Sequence, residues 1–331
     1  MYGNPLNCIP FANLKISMEN ENQTSIKWFL LQGLSSSTTP HLQAFCFLLF
    51  LVMYVTTLLG NLLLIMVVRI NVQLQTPMYF FLTHLSVIDI SFSSTIVPKL
   101  MANTLSLDKR ISFLGCATQM YFHLTLGGTE CLLLAAMALD RYAAICRPLQ
   151  YNTIMDRRLC LGLVTGSWTL SFLNAIIHAA LTFQLPFCKS NQVNHYFCEM
   201  PPLFRLSCKD TLLNEIVVYI TGGLFAFCSF VLTLLSYVCI IYNLLNVKCS
   251  SGRYKAFSTC SSHLTVVSIY YGTIIFMYLR PYSSSSPNQD KTVSMLYTVV
   301  TPMSNPIIYS IRNKQVKSTL IKALTFQGPA I

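Results

Sequence analysis

Polar residues that could do chemistry are few in this chain, and they stand inside long apolar stretches. Asp89 and Glu130 are carboxyl groups within two of these stretches. Two carboxyls in one apolar bundle must share a proton or hold a cation. Asp140-Arg141-Tyr142 closes one apolar stretch, and Asn305-Pro306-Ile307-Ile308-Tyr309 closes the last one. Asn61 is a lone amide in the first stretch. It either ties neighbouring helices together by hydrogen bonds or belongs to a functional set. Ionisable groups at such positions are expensive and usually functional. Beyond the Asp89–Glu130 pair, no nucleophile or acid–base group stands beside a polar site, so no catalytic residue is assigned.

These residues need helices to place them. Seven stretches are long and apolar enough to span a bilayer, at 42–68, 77–100, 114–141, 159–182, 213–245, 254–279 and 292–311. The expected fold is therefore an all-α membrane protein, a seven-transmembrane helix bundle. On the third helix Glu130 comes eleven residues before Arg141 and His123 eighteen before it. At about 100° per residue all three fall on one face, which must point into the bundle rather than at lipid. A retinal protein would need a lysine within 292–311, and there is none. A secondary transporter would show paired repeats, and none is visible.

Composition agrees. Of 331 residues 53% are hydrophobic and only 10% charged, where soluble domains run near 25% charged. The net charge of +11 sits in short loops and at the tail, without the aromatic-interleaved basic patch that nucleic acid requires. Nucleic acid is thus excluded as a partner, and the lipid bilayer is implied. Residues 1–20 lack the basic start and apolar run of a signal peptide, so the first span is expected to act as the targeting signal. Met18 is an alternative start. Asn22-Gln23-Thr24 is a glycosylation sequon. Cys188, Cys198 and Cys208 cluster in the longest loop, and Cys116 opens the third helix on the same side. Four thiols there suit an oxidising compartment and allow three pairings. The expected organisation is an extracellular tail at 1–41, a seven-transmembrane domain at 42–311 and a cytoplasmic segment at 312–331. In the last, Val316, Leu320 and Leu324 oppose Lys314, Lys317 and Lys322, as in an amphipathic helix on a membrane surface.

The Asp140-Arg141-Tyr142 and Asn305-Pro306-x-x-Tyr309 pair resembles the rhodopsin-like G protein-coupled receptors, and further strings resemble their odorant branch. Among them are Gly60-Asn61, the run from Leu74 to Leu82 (LQTPMYFFL), and Met137 to Cys146 (MALDRYAAIC). Others are Ser236-Tyr237, Lys255 to Cys260 (KAFSTC), Ser262-His263-Leu264 and Pro302 to Asn313 (PMSNPIIYSIRN). The resemblance covers about residues 20–325. Gln75 stands where that family commonly has His, and Glu199 where Asp is common. Residues 1–17 extend beyond the usual tail, and no cysteine follows the seventh helix.

The resemblance implies an odorant receptor of the plasma membrane, with its N-terminus extracellular and its C-terminus cytoplasmic. A small, mostly apolar odorant would bind in an outer pocket. Asp140, Arg141, Tyr142, Asn305, Pro306 and Tyr309 would form the switch that couples to the alpha subunit of a stimulatory, olfactory-type heterotrimeric G protein and raises cyclic AMP. It implies disulfides Cys116–Cys198 and Cys188–Cys208. A family member outside the nose that senses a small metabolite would have the same sequence features. Tyr271, Ile274, Ile275 and Tyr278 recur at i, i+3, i+4 and i+7 on the outer half of the sixth helix. With His123, Leu124, Gly127 and Gly128 at matching depth and Thr298 opposite, they are the expected ligand-binding residues. Na+ is the expected ion for Asp89 and Glu130, a shared proton being the alternative, and no other cofactor is implied.

Overall fold

The computed structural model describes residues 26–33, 39–106, 108–246, 250–278, 287–311 and 316. Within those, the side chains of 250–259, 278, 287 and 311 lie outside the description. So do Asn22, Met18 and, Val316 apart, the expected amphipathic tail.

Among the described residues, six single helices are long and apolar enough to cross a membrane. They are α1 (Pro40–Ile70), α2 (Pro77–Leu105), α3 (Phe113–Cys146), α5 (Arg157–Phe183), α7 (Leu212–Asn246) and α8 (Ser250–Tyr278). The seventh passage is composite: α9 (Pro287–Met295), a π-helical turn at Leu296–Val300, and α10 (Thr301–Ile311). Two short helices, α4 (Tyr151–Ile154) and α6 (Met200–Phe204), lie in the connections. The protein is a seven-helix bundle.

Local chemistry sets the helix ends. Pro40 and Pro77 occupy first-turn positions, where a missing N–H costs nothing. The Ser112 hydroxyl accepts from Gly115 N at 3.0 Å, and the Asp156 carboxylate accepts from Leu159 N at 2.8 Å. These cap α3 and α5. α3 does not stop at residue 141 as expected. Ala143, Ala144 and Ile145 carry the helix on to Cys146, and Pro148 then ends it.

α3 is the central pillar. Two-thirds of its apolar window (67%) is buried, against 22% for α1. Leu133, Leu134 and Met137 of α3 pack against Phe81, Leu85 and Ile88 of α2 in the largest core cluster. Leu48, Val52, Leu59, Phe227 and Leu235 are exposed, as lipid-facing side chains should be.

The contact between α1 and α10 explains two residues of the sequence. Pro306 has no N–H, so the carbonyl of Pro302, four residues earlier, lacks its helical donor. Asn61 Nδ2 donates to that oxygen at 3.1 Å. Leaving a buried carbonyl bare costs about 1–3 kcal/mol. Beside it, a Cβ on Gly60 would lie 3.0 Å from Pro306 Cγ. Glycine lets the two helices approach, and Asn61 repairs the break.

A small sheet caps the end of the bundle where α3 begins. β1 (Trp28–Leu31) lies between β2 (Arg110–Ser112), antiparallel, and β3 (Gln192–Val193), parallel. Phe29 and Leu31 are buried while Trp28 is exposed, the alternation of a half-buried strand. Their buried faces join Met120, Phe187, Val193 and Met200 in a second core cluster. Residues 28–31 of the N-terminal tail therefore help build a roof. Strands of two to four residues are too short to show a period.

Candidate functional site

The roof is stapled. Cys116 at the start of α3 is bonded to Cys198, and Cys188 to Cys208, with Cα atoms 5.5 and 5.8 Å apart. Gln119 Oε1 accepts from Cys198 N at 2.9 Å, tying the loop to α3 a second time. Tyr196, Phe197 and Cys198 are fully buried.

Beneath the roof is a cavity of about 290 Å³. Its walls are mostly apolar, with Phe92, Leu124, Val218, Phe225, Ile274 and Met277 among the lining residues. Ligand pockets usually run from about 300 to 1,000 Å³, so this one suits a small molecule. His123 projects into it between Phe92 and Phe197, ring centroids 5.2 and 4.9 Å away. Its Nδ1 is buried without a hydrogen-bond partner. Glu130 also lines the cavity, and its Oε1 is buried and unpartnered. Such atoms carry a desolvation cost of about 1–3 kcal/mol until something bonds to them.

Of the residues expected from sequence, His123, Leu124, Gly127, Gly128 and Ile274 line the cavity. Tyr271, Ile275 and Thr298 do not. The wall from α8 is Tyr270, Thr273, Ile274 and Met277, the same spacing displaced by one residue. Tyr271 instead stacks edge-on against Phe230 at 5.2 Å. Ile275 is 45% exposed. Of these two only Ile275 turns outward, as an apolar side chain can in lipid; Tyr271 is buried, at 3% exposure. Thr298 pairs with the Tyr196 hydroxyl at 2.9 Å, leaving Tyr297 as the lining residue of the seventh passage. The Tyr278 side chain lies outside the described residues. The two glycines of α3 also differ. A Cβ on Gly127 would meet only Phe92, at 4.0 Å, so its space opens to the cavity. A Cβ on Gly128 would lie 3.0 Å from Ser171 Oγ, so that space belongs to α5.

Sequence reasoning missed His178 and Asn174 on α5 and the Gly222–Gly223 pair on α7, all of which line the cavity. His178 Nε2 pairs with Thr221 Oγ1 at 2.8 Å. A histidine within an apolar span was signal enough.

Deeper in the bundle, Asn305 Nδ2 donates to both oxygens of Asp89, each at 3.1 Å. Asn305 Oδ1 and Ser93 Oγ, the latter one turn from Asp89, are buried without partners. Among the described residues no group of three or more His, Cys, Asp or Glu is arranged to hold a metal. The donors present are oxygens, which a small hard cation prefers.

At the end of the bundle opposite the roof, Arg141 Nη2 donates to Asp140 Oδ2 at 2.8 Å. The Tyr151 hydroxyl of α4 donates to the other oxygen at 2.7 Å. Asp140 is completely buried, while the Arg141 side chain keeps 13% exposure. Tyr142 packs against the cluster of Ala138, Tyr237, Ile240, Leu244 and Cys260. The Tyr237 hydroxyl of α7 pairs with His263 Nδ1 of α8 at 2.6 Å. Tyr309 is buried with its hydroxyl unpartnered. The KAFSTC side chains, Cys260 apart, lie outside the described residues.

A roofed cavity at one end, one polar face along a central helix, and an arginine held at the far end are the architecture of a seven-helix membrane receptor. The olfactory receptor family model matches residues 50–327. The chain is 50% identical to olfactory receptor 5AP2 of Mus musculus over 307 residues, 93% of this chain and 96% of that one. It is 48% identical to olfactory receptor 8H1 of Homo sapiens, covering 93% and 98% of the two chains. The chain belongs to the olfactory receptor family: it is a multi-pass membrane receptor in an odorant-sensing family, not an enzyme.

Proposed function

We propose that the roofed cavity takes a small, mostly apolar odorant, and that its occupancy is read out at Arg141 by the alpha subunit of a stimulatory, olfactory-type G protein, raising cyclic AMP. The carrying observation is the cavity itself, apolar yet holding two buried polar atoms without partners, His123 Nδ1 and Glu130 Oε1. A ligand hydroxyl or carbonyl satisfies one of them, while its carbon skeleton is buried against Phe92, Leu124 and Ile274. Ligand binding acts only by favouring one of two helix arrangements. The arrangement described holds Arg141 against Asp140; the other frees it, and Tyr309 moves in beside it. The test is a cyclic AMP reporter in receptor-expressing cells, challenged with a broad panel of volatile compounds. No response to any of them, at normal surface expression, would sink the reading.

Asp89, with Asn305 beside it, and Glu130 fit a Na+ ion between the cavity and the switch, which would hold the resting arrangement. Glu130→Gln is expected to remove the sodium dependence of agonist potency, measured with Na+ replaced by a large organic cation. Unchanged sodium dependence would leave the shared proton as the explanation.

The roof and its disulfides face outside in this reading, and the N-terminus with them. Glycosidase treatment of surface receptor should therefore increase gel mobility, and Asn22→Gln should abolish that change. An unchanged mobility of the parent would count against the orientation.

A further inference from the structure

The loop residue Glu199 is buried to 3% exposure directly behind the cavity wall. The Tyr297 hydroxyl donates to its Oε1 at 3.3 Å, with Ser294 Oγ a second, more distant acceptor at 3.4 Å. The ring of the same tyrosine lines the cavity and lies 6.0 Å from the His123 ring and 6.4 Å from Phe92, centroid to centroid. Tyr297 belongs to the π-helical turn Leu296–Val300, and extra-residue turns of this kind re-aim side chains at functional sites.

We propose that Glu199 is a positioning residue for odorant recognition: it holds Tyr297 in the cavity wall, and its protonation sets the receptor's sensitivity according to the pH on the outer side. The inference rests on the cavity being the odorant site.

The neighbourhood of Glu199 isolates it as the group that titrates. From its own loop, His195 Nε2 lies 3.7 Å from Oε2, beyond hydrogen-bond reach, and the Tyr196 hydroxyl is engaged by Thr298. From α9, Asp290 adds like charge. The Lys291 ammonium is committed to the carbonyls of Gln32 and Gly33, at 3.2 and 3.0 Å. From α3, the His123 ring lies 6.0 Å from that of Tyr297, centroid to centroid, and makes no hydrogen bond to Glu199. No lysine or arginine among the described residues pairs with Glu199.

Burial, with no cation to offset it, pushes the Glu199 carboxyl up to about 7, against the pull of the Tyr297 bond; the nearby Asp290 adds a smaller push. Burial holds His195 down to about 3, so it stays neutral from pH 6 to 8. Between these values the one loop group that changes charge is therefore Glu199. Above its pKa the carboxylate accepts a charge-assisted bond from Tyr297; below it that bond weakens to an ordinary one. The held tyrosine is the binding-competent form, so sensitivity rises with pH.

The experiment measures agonist dose responses at external pH 6 and 8. The probe is an uncharged straight-chain alcohol or ester that the panel identifies as an agonist, whose own protonation is constant over that range. For the parent, the half-maximal concentration should be about three- to tenfold lower at pH 8, since a tenfold change corresponds to one pKa unit of coupling. Glu199→Gln should give one value at both pH values, near that of the parent at pH 6. Tyr297→Phe, which keeps the ring, should flatten the response in the same way, and Glu199→Asp should restore a pH dependence. His123→Ala should weaken the response at both pH values but keep their ratio. A parent response that is flat with pH, or a pH ratio that survives in Glu199→Gln or in Tyr297→Phe, overturns the inference. A His123→Ala response equal to the parent's, with the ratio still lost in Glu199→Gln, overturns the cavity assignment instead.

Discussion

Arg141→Ala is expected to abolish agonist-evoked cyclic AMP while leaving the receptor at the cell surface. The Arg141 guanidinium is both anchored and partly exposed, 2.8 Å from buried Asp140 with 13% of its side chain accessible. Its Nε is buried without a partner. That half-satisfied state suits a group which changes partners on activation. Removing it does not strand Asp140, because Tyr151 still donates to that carboxylate at 2.7 Å. Folding should therefore survive, and the maximal response should fall by at least about tenfold, equivalent to roughly 1.4 kcal/mol of lost coupling. Arg141→Lys keeps the charge but loses the planar fork, so it should recover only part of the response. A full response from Arg141→Ala at parental surface density would remove the arginine from the coupling mechanism.

Cys116→Ala should do the opposite and remove the receptor from the surface. The Cys116–Cys198 bond joins α3 to the loop that carries Tyr196, Phe197 and Glu199 across the top of the cavity. Loss of a native disulfide costs about 2–5 kcal/mol, a large part of the whole stability of a domain. Surface receptor is expected to drop to roughly a tenth of the parent or less. Cys228→Ala is the control, since Cys228 is exposed and free, and its surface level should match the parent's. Normal surface density and response for Cys116→Ala would show that the roof stands without its staple.

Most of the bundle was legible because lipid imposes a simple code: about 20 apolar residues per span, and polar groups turned inward. That code located each single-helix span and put His123, Glu130 and Arg141 on one face of α3. It does not specify which side of an apolar helix faces its neighbours. On α8 the conspicuous stripe Tyr271–Ile274–Ile275 was taken as the inner one. Ile274 does line the cavity and Tyr271 is buried, yet Ile275 faces outward, and Tyr270 and Thr273 line the cavity beside Ile274. In a bilayer an apolar side chain is at home on either face of a helix, so an apolar stripe does not by itself mark the inner one. The π-helical turn at Leu296–Val300 was invisible because no residue type announces it. It shifts the register, so that Tyr297 rather than Thr298 reaches the cavity. The roof sheet was illegible for another reason: its strands are short and drawn from three distant segments, and only their shared burial reveals them.

The central claim, that the cavity beneath the roof is the odorant site, is tested most directly at Gly127. A Cβ there meets only Phe92, at 4.0 Å, and leucine is a better helix former than glycine. Gly127→Leu should therefore leave the fold intact while its side chain occupies part of the 290 Å³ available to a ligand. The measurement is the cyclic AMP dose response of Gly127→Leu and parent receptors, side by side at matched surface density, to every agonist found. The account predicts half-maximal concentrations raised at least about tenfold for Gly127→Leu, with the ligand-independent signal unchanged. Superimposable dose responses for all agonists would contradict it and place the odorant elsewhere.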